Sequence, residues 1–160
     1  MTARIRLATD LDQGEVLRLR LEFIADVRGV GAATFEPAFV DATRAYLDDV
    51  TRLGRIRSWL ARPADASPAV GIISVLRNDA PPLPEQHLAH EGYVVNLWIA
   101  PSARRQGIAR ALLQTAIDDA ASWGLRRLYL FATDDGRPLY EDSGFAPDPR
   151  WMARRIDATA

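Results

Sequence analysis

Apolar and polar positions change their period several times along the chain, and each change marks an element. Arg4 to Thr9 (RIRLAT) alternates and reads as a first strand. Val16, Leu19, Phe23, Ile24 and Val27 then recur at helical spacing. Asp12 and Glu15 stand before them in the arrangement of a capping box, and the run RGVG stops the helix. Pro37 suits a first helical turn, followed by the stripe Phe39, Val40, Thr43, Leu47 and Val50, ending near Gly54. Strands are predicted over Arg55–Ala61 and over the β-branched Ala69–Leu76, with a turn at Pro63–Pro68 between them. Residues 77–92 read as a long loop, and Tyr93–Ala100 (YVVNLWIA) as a strong strand. Ile108, Leu112, Ala116, Ile117 and Ala120 form the stripe of a further helix, with Gly124 as its C′ residue. Leu125–Thr133 reads as a strand, GRPLYEDSGF as a short helix with a glycine stop, and Arg150–Ile156 as a closing strand. The predicted order is βααβββαβαβ. Its strand–helix–strand unit over Tyr93–Thr133 calls for at least one parallel strand pair.

A length of 160 residues points to a single domain over 1–160, with 48% hydrophobic and 26% charged residues, as in an ordinary globular chain. The net charge of -1 argues against nucleic acid as a partner held by bulk charge. The absence of cysteine excludes a disulfide framework, a thiolate metal site and a cysteine nucleophile within this chain. All 20 basic residues are arginine, so no lysine can form a Schiff base. The opening residues lack an apolar signal segment, and no apolar run is long enough to span a membrane, so the expectation is a cytoplasmic protein with no membrane partner. His87 and His90, three apart among prolines and without other histidines, give no expectation of a metal.

The candidate chemistry lies in PSARRQGIARALL, Pro101–Leu113. In a strand–loop–helix unit the loop amides and the helix N-terminus point outward together and favour an anion. Gly107 lets a phosphate approach the backbone, Ala109 keeps the next approach small, and Arg104 and Arg105 add forked donors. A pyrophosphate fits this pattern better than a carboxylate. The spacing is neither the dinucleotide fingerprint nor a P-loop, and an ordinary helix start with solvated arginines is the alternative reading.

In context the stretch resembles the GCN5-related N-acetyltransferase (GNAT) family. The family signature, [Q/R]-x-x-G-x-[G/A] after a strand, is met by Arg104, Gly107 and Ala109 behind Ile99–Pro101. Downstream, PLYEDSGF is similar to the family's L-Y-E-x-x-G-F segment, with Tyr140, Gly144 and Phe145 in register. The resemblance implies an α/β fold with a central mixed, mostly antiparallel twisted sheet and helices on both faces. It implies acyl transfer, most often acetyl, from acetyl-CoA to a primary amine by direct attack in a ternary complex. It assigns the pyrophosphate to Arg104, Arg105, Gln106, Gly107, Ile108 and Ala109, and the pantetheine arm to the backbone of Leu97, Trp98 and Ile99. One N–H of that strand would polarise the thioester carbonyl. Tyr140 becomes the general acid for the thiolate. Thr133 stands where many relatives have an asparagine contacting the coenzyme. For the base, Asn96 cannot serve, and Glu91, Glu36 and Glu22 are the candidates, Glu91 first. A low-pKa amine or a water chain would remove that need. Phe35, Tyr46, Trp59 and Trp98 are candidates to line an acceptor pocket, the acceptor being a small-molecule or peptide amine. Relatives often form homodimers. A non-catalytic acyl-CoA sensor and a nucleotide-phosphate enzyme remain the rival readings.

Overall fold

The computed structural model describes residues 3–64 and 67–156. Asp65 and Ala66, in the middle of the expected turn, and both chain ends lie outside the described residues. The chain forms two compact units, one running to Leu130 and one from Phe131 onward.

The first unit is a five-stranded mixed sheet in the order β1-β2-β3-β4-β5. The strands are β1 (Arg4–Leu7), β2 (Ile56–Arg62), β3 (Gly71–Asp79), β4 (His90–Ile99) and β5 (Leu128–Tyr129). The first three pairings are antiparallel, and β4 with β5 is parallel, as the strand–helix–strand unit requires. The helices of this unit are α1 (Gln13–Arg28), α2 (Pro37–Arg52) and α3 (Ile108–Ala120). Successive strand residues point to opposite faces, and this divides the helices. Ile72 and Leu60 pack with Val16, Leu17 and Leu19 of α1 and Leu47 of α2. The neighbouring Gly71 faces the other way, where a Cβ would come within 3.3 Å of Leu112 on α3. Leu112 and Leu113 are wholly buried there.

The predicted elements hold except at four places. β3 and β4 run on past the apolar residues, pairing Arg77 with Gly92, Asn78 with Glu91 and Asp79 with His90. The long loop therefore shrinks to residues 80–89, because a backbone ladder extends regardless of side-chain polarity once two strands are in register. The expected strand over Leu125–Thr133 pairs only at Leu128 and Tyr129. The capping box sits one turn early: the Thr9 amide and hydroxyl donate to Asp12 Oδ2 at 2.8 and 2.9 Å. Glu15 instead accepts from the Ala69 amide at 2.6 Å and pairs with Arg62. The closing strand is not formed, for Trp151 to Ile156 are irregular and exposed. Trp151 and Met152 are adjacent, so no single strand face would be apolar, and Asp148 turns the chain by accepting from the Arg150 amide at 3.0 Å.

Asp12, 6% exposed, is the polar hub of the first unit's edge, bonded to Arg6 at 2.6 and 2.7 Å and to Arg62 at 3.3 Å. The Arg6 guanidinium first of all, aided by Thr9, outweighs burial and holds the Asp12 carboxyl well below the usual carboxylate range. Because its pKa is depressed in the fold, the stabilisation is complete above about pH 5 and is lost as pH falls below the unfolded value near 4. Asp12→Asn leaves buried donors facing an amide and is expected to cost about 2–3 kcal/mol. Chemical denaturation at pH 7 and pH 3 checks this, the difference between the two proteins shrinking at pH 3.

Candidate functional site

The site begins with an irregularity in β4. The register passes from Trp98↔Ile72 to Val95↔Ser74, so Asn96 and Leu97 together stand opposite Ile73. This is a β-bulge, and Asn96 takes a left-handed conformation with φ 59° to make it. Asparagine tolerates that region better than a β-branched residue would. The Ala100 amide bonds to Val70 O on the β3 side, while the Gly92 amide bonds to Arg127 O on the other. By two-residue alternation from these anchors, the amides of Val94, Leu97 and Ile99 point away from β3. Pairing with β5 stops at Tyr93, so among the described residues no strand pairs with this edge of β4 beyond that point. The bulge also changes which side chains share a face. Trp98 joins the α1-side core, while Ile99 packs beside Leu112 on the α3 side.

A single 3₁₀ turn, Pro101–Ala103, leads from β4 toward α3. Arg105 has φ 58° and Gly107 φ 77°, so the loop coils twice through left-handed backbone before the helix starts at Ile108. A Cβ built on Gly107 meets nothing within 4 Å, which means the glycine faces open space. The first intrahelical bond runs from the Ala111 amide to Gly107 O at 3.0 Å. The first-turn amides before it, including Ile108 and Ala109, have no intrahelical acceptor, and no side chain caps them. Ile108 is 5% exposed and anchors the turn in the core, while Arg104, Arg105, Gln106 and Gly107 are exposed. These residues fit a pyrophosphate: outward amides, a glycine with room beside it, and adjacent guanidinium groups.

Arg104 has a second task that the motif does not reveal. Its Nε donates to Ile99 O at 3.0 Å and its Nη2 to Asp26 Oδ2 of α1 at 2.6 Å. The guanidinium ties the loop back to β4 and α1, and it takes up the outward carbonyl of Ile99. Both side chains of the ion pair are about half exposed, so its worth is modest. Arg104→Ala and Asp26→Ala are each expected to weaken binding of a pyrophosphate-bearing ligand about threefold to fivefold by loosening the loop. Titration calorimetry checks this. Weakening by Arg104→Ala alone would mean that the side chain acts on the ligand directly.

The structure removes Glu91 from this cluster. Its carboxylate accepts from Arg126 Nε and Nη2 at 3.0 and 2.8 Å and from Arg127 Nη2 at 2.9 Å. Burial pushes its pKa up, but the two guanidinium groups more than offset this and hold it below the ordinary value. It stands six residues before Leu97, roughly 20 Å along an extended strand. Glu91 is a clamp between β4 and the segment leading into β5, with its oxygens engaged, and it is not placed to take an amine proton. Glu36 is exposed at the head of α2, and Glu22 is half-buried on α1.

On the α1 side of β4 lies a polar chain that the sequence reading missed. Asn96, 3% exposed, accepts from Arg20 Nη1 of α1 at 2.5 Å and donates to Ser74 at 3.4 Å. Ser74 in turn bonds to Ser58 at 2.7 Å. Arg20 was visible as a charge inside the α1 stripe, four residues after Val16 and three before Phe23. Trp59 and Trp98 are core residues at 5% and 8% exposure, whereas Tyr46 is half exposed and Phe35 packs at a tilt against Phe39, ring centres 5.1 Å apart.

The second unit carries the remaining expected residues. Helix α4 (Arg137–Asp142) holds Tyr140. Gly144, at φ 88°, turns the chain back so that the Phe145 amide reaches Tyr140 O at 3.0 Å. The Phe145 ring then packs edge-on against Tyr140 at 6.0 Å, which explains the spacing of that segment. Burial pushes the Tyr140 hydroxyl above the ordinary phenol value of 10.0. Thr133 starts α4: its Oγ1 accepts from the Gly136 amide at 3.2 Å, and a Cβ at Gly136 would crowd both Thr133 and Tyr140 at 3.2 Å. Among the described residues no three His, Asp or Glu side chains are grouped to hold a metal ion, and no helix is long and apolar enough to cross a membrane.

Comparison with known proteins matches residues 26–145 to the model of the acetyltransferase (GNAT) family. A GCN5-related N-acetyltransferase from Ralstonia eutropha JMP134 is 29% identical and superposes with a TM-score of 0.80, over 96% of this chain and 98% of that one. A predicted acetyltransferase from Clostridium acetobutylicum, crystallised with acetyl-CoA, is 20% identical with a TM-score of 0.82 over 96% of both chains, a likeness of fold. The chloroplastic GCN5-related N-acetyltransferase 6 of Arabidopsis thaliana is 39% identical over 57 residues, which cover 34% of this chain and 20% of the relative. The match thus spans about a fifth of that relative's length.

Proposed function

Because the chain belongs to the acetyltransferase (GNAT) family, we propose that it transfers the acetyl group of acetyl-CoA to a primary amine by direct attack in a ternary complex. The observation that carries this is the pairing of two open backbone features: the outward amide edge of β4 past its bulge and the uncapped first turn of α3. Acetyl-CoA supplies an activated thioester with a thiolate leaving group. In this reading the amides of Gly107, Ile108 and Ala109, with Arg105 and Gln106 beside them, hold the pyrophosphate. The edge from Leu97 to Ile99 holds the pantetheine arm, and the Leu97 amide polarises the acetyl carbonyl.

The acceptor nitrogen attacks the acetyl carbon, the C–S bond breaks, and Tyr140 gives its proton to the departing sulfur. The raised pKa keeps that proton on the tyrosine at neutral pH, as an acid requires. Glu91 has no part in the step, and the amine's proton leaves through water. A cytoplasmic location and a homodimer complete the reading.

The test is release of free thiol from acetyl-CoA against a broad panel of amines, including peptide N-termini. Amine-dependent thiol release above the hydrolytic background is the expected result. Tight acetyl-CoA binding with no amine-dependent release would instead identify a sensor, and tight ATP or NAD binding without acetyl-CoA binding would overturn the reading altogether.

A further inference from the structure

We propose that Arg20 anchors an anionic group on the acceptor, so that the amine this protein acetylates also carries a carboxylate or a phosphate. The inference rests on the acetyltransferase reading and names its substrate class.

Most sheltered arginines of the chain are neutralised: Arg62 and Arg126, with side chains 15% and 10% exposed, each pair with a glutamate, and the more open Arg57 pairs with Asp119. Arg77, also half-buried, lies against the Trp123 ring, its guanidinium 5.5 Å from the centre. Arg20 has neither a carboxylate partner nor that tryptophan. It projects from the apolar stripe of α1, half-buried, with its guanidinium 5.6 Å from the centre of the Phe23 ring. Among the described residues no carboxylate pairs with it. Its electrostatic neighbours are the phenols of Tyr46 on α2 and Tyr93 on β4, and burial lowers its pKa. A guanidinium removed from water without a counter-ion is an unmet cost that an arriving anion recovers.

Geometry places that cost beside the proposed chemistry. Arg20 Nη1 is spent on Asn96 Oδ1, the side chain of the left-handed residue that makes the β4 bulge. The next residue is Leu97, whose amide opens the outward edge. The remaining N–H groups of Arg20 form a fork suited to two oxygens of one anion. Tyr93 and Tyr46 add hydroxyl groups, and Tyr46 is 49% exposed. A carboxylate and an amine on one small frame would therefore be held with the amine toward the bulge. A role for Arg20 as a strut alone would leave unexplained why the strut is charged and unpaired.

The experiment compares matched amines in binding and in turnover: phenylalanine against phenethylamine, histidine against histamine, and phosphoethanolamine against ethanolamine. Binding is read by calorimetry with coenzyme A present, so it does not depend on turnover. At least one anionic partner is expected to bind about tenfold more tightly than its neutral counterpart, and the pair that responds separates carboxylate from phosphate. Arg20→Met should reduce that ratio to about one while leaving acetyl-CoA affinity near that of the parent, with a melting temperature lowered by loss of the Asn96 bond. Arg20→Lys, which keeps the charge and loses the fork, should retain part of the preference, and it is read if the Met variant does not fold. Equal binding of every pair by the parent protein, or an unchanged ratio in Arg20→Met, would overturn the proposal. Anion-dependent binding without acetyl transfer would support Arg20 as the anchor and count only against the catalytic reading.

Discussion

Tyr140→Phe is expected to lower kcat by about 10²- to 10³-fold while acetyl-CoA affinity stays within about twofold. The substitution removes one hydroxyl and keeps the ring, so the edge-on contact with Phe145 and the turn at Gly144 survive. What is lost, in the proposed mechanism, is the proton for the departing sulfur. The two readouts separate chemistry from folding: turnover at saturating coenzyme, and affinity by calorimetry. A kcat within about threefold of the parent would remove Tyr140 from the mechanism. The pH profile adds a second check with a definite sign. A general acid must be protonated to act, and burial moves this phenol upward from 10.0. The parent's kcat should therefore show no basic decline below about pH 10, and a decline centred near pH 8 would point to a different acid.

Gly107→Glu is expected to raise the acetyl-CoA dissociation constant about 100-fold or more. Two effects add. Gly107 sits at φ 77°, where a Cβ costs about 1 kcal/mol of backbone strain. The new carboxylate also stands in the open space beside the first-turn amides and repels phosphate. Gly107→Ala carries the strain and a methyl group without the charge, and should weaken binding about tenfold. Since a Cβ meets no protein atom within 4 Å, neither variant should lose its core. Calorimetry with acetyl-CoA and thermal melting read the two consequences separately. Unchanged affinity in the glutamate variant would dissociate the α3 turn from the coenzyme.

The sequence was informative wherever a local rule governs. The order of strands and helices up to α4, the parallel pair, and the glycine at the head of α3 follow from periodicity and from the backbone freedom that a phosphate loop needs. It misled where pairing decides. The polar ends of β3 and β4 extend their ladder beyond the apolar run, and the expected last strand has no face that burial would favour. The candidate site was legible as a motif, Arg104 to Ala109, yet the motif hid that Arg104 binds Asp26 and Ile99 O. Glu91 looked like a free carboxylate because Arg126 and Arg127 are distant in sequence, and only the β4–β5 pairing brings them together.

By itself, then, the sequence determined a mixed α/β sheet and the glycine loop of the candidate site, because helical and strand periods and a glycine's φ are properties of neighbouring residues. The tertiary structure decided the surroundings of Arg20 and Asn96. The bulge at Asn96 depends on β3 supplying one residue against two, and the half-buried charge of Arg20 has meaning only once α1 lies across that bulge with no carboxylate paired to it among the described residues. Such relations join residues 76 apart. They are set by packing and by which charges the fold leaves unpaired, and no pattern read along the chain contains them.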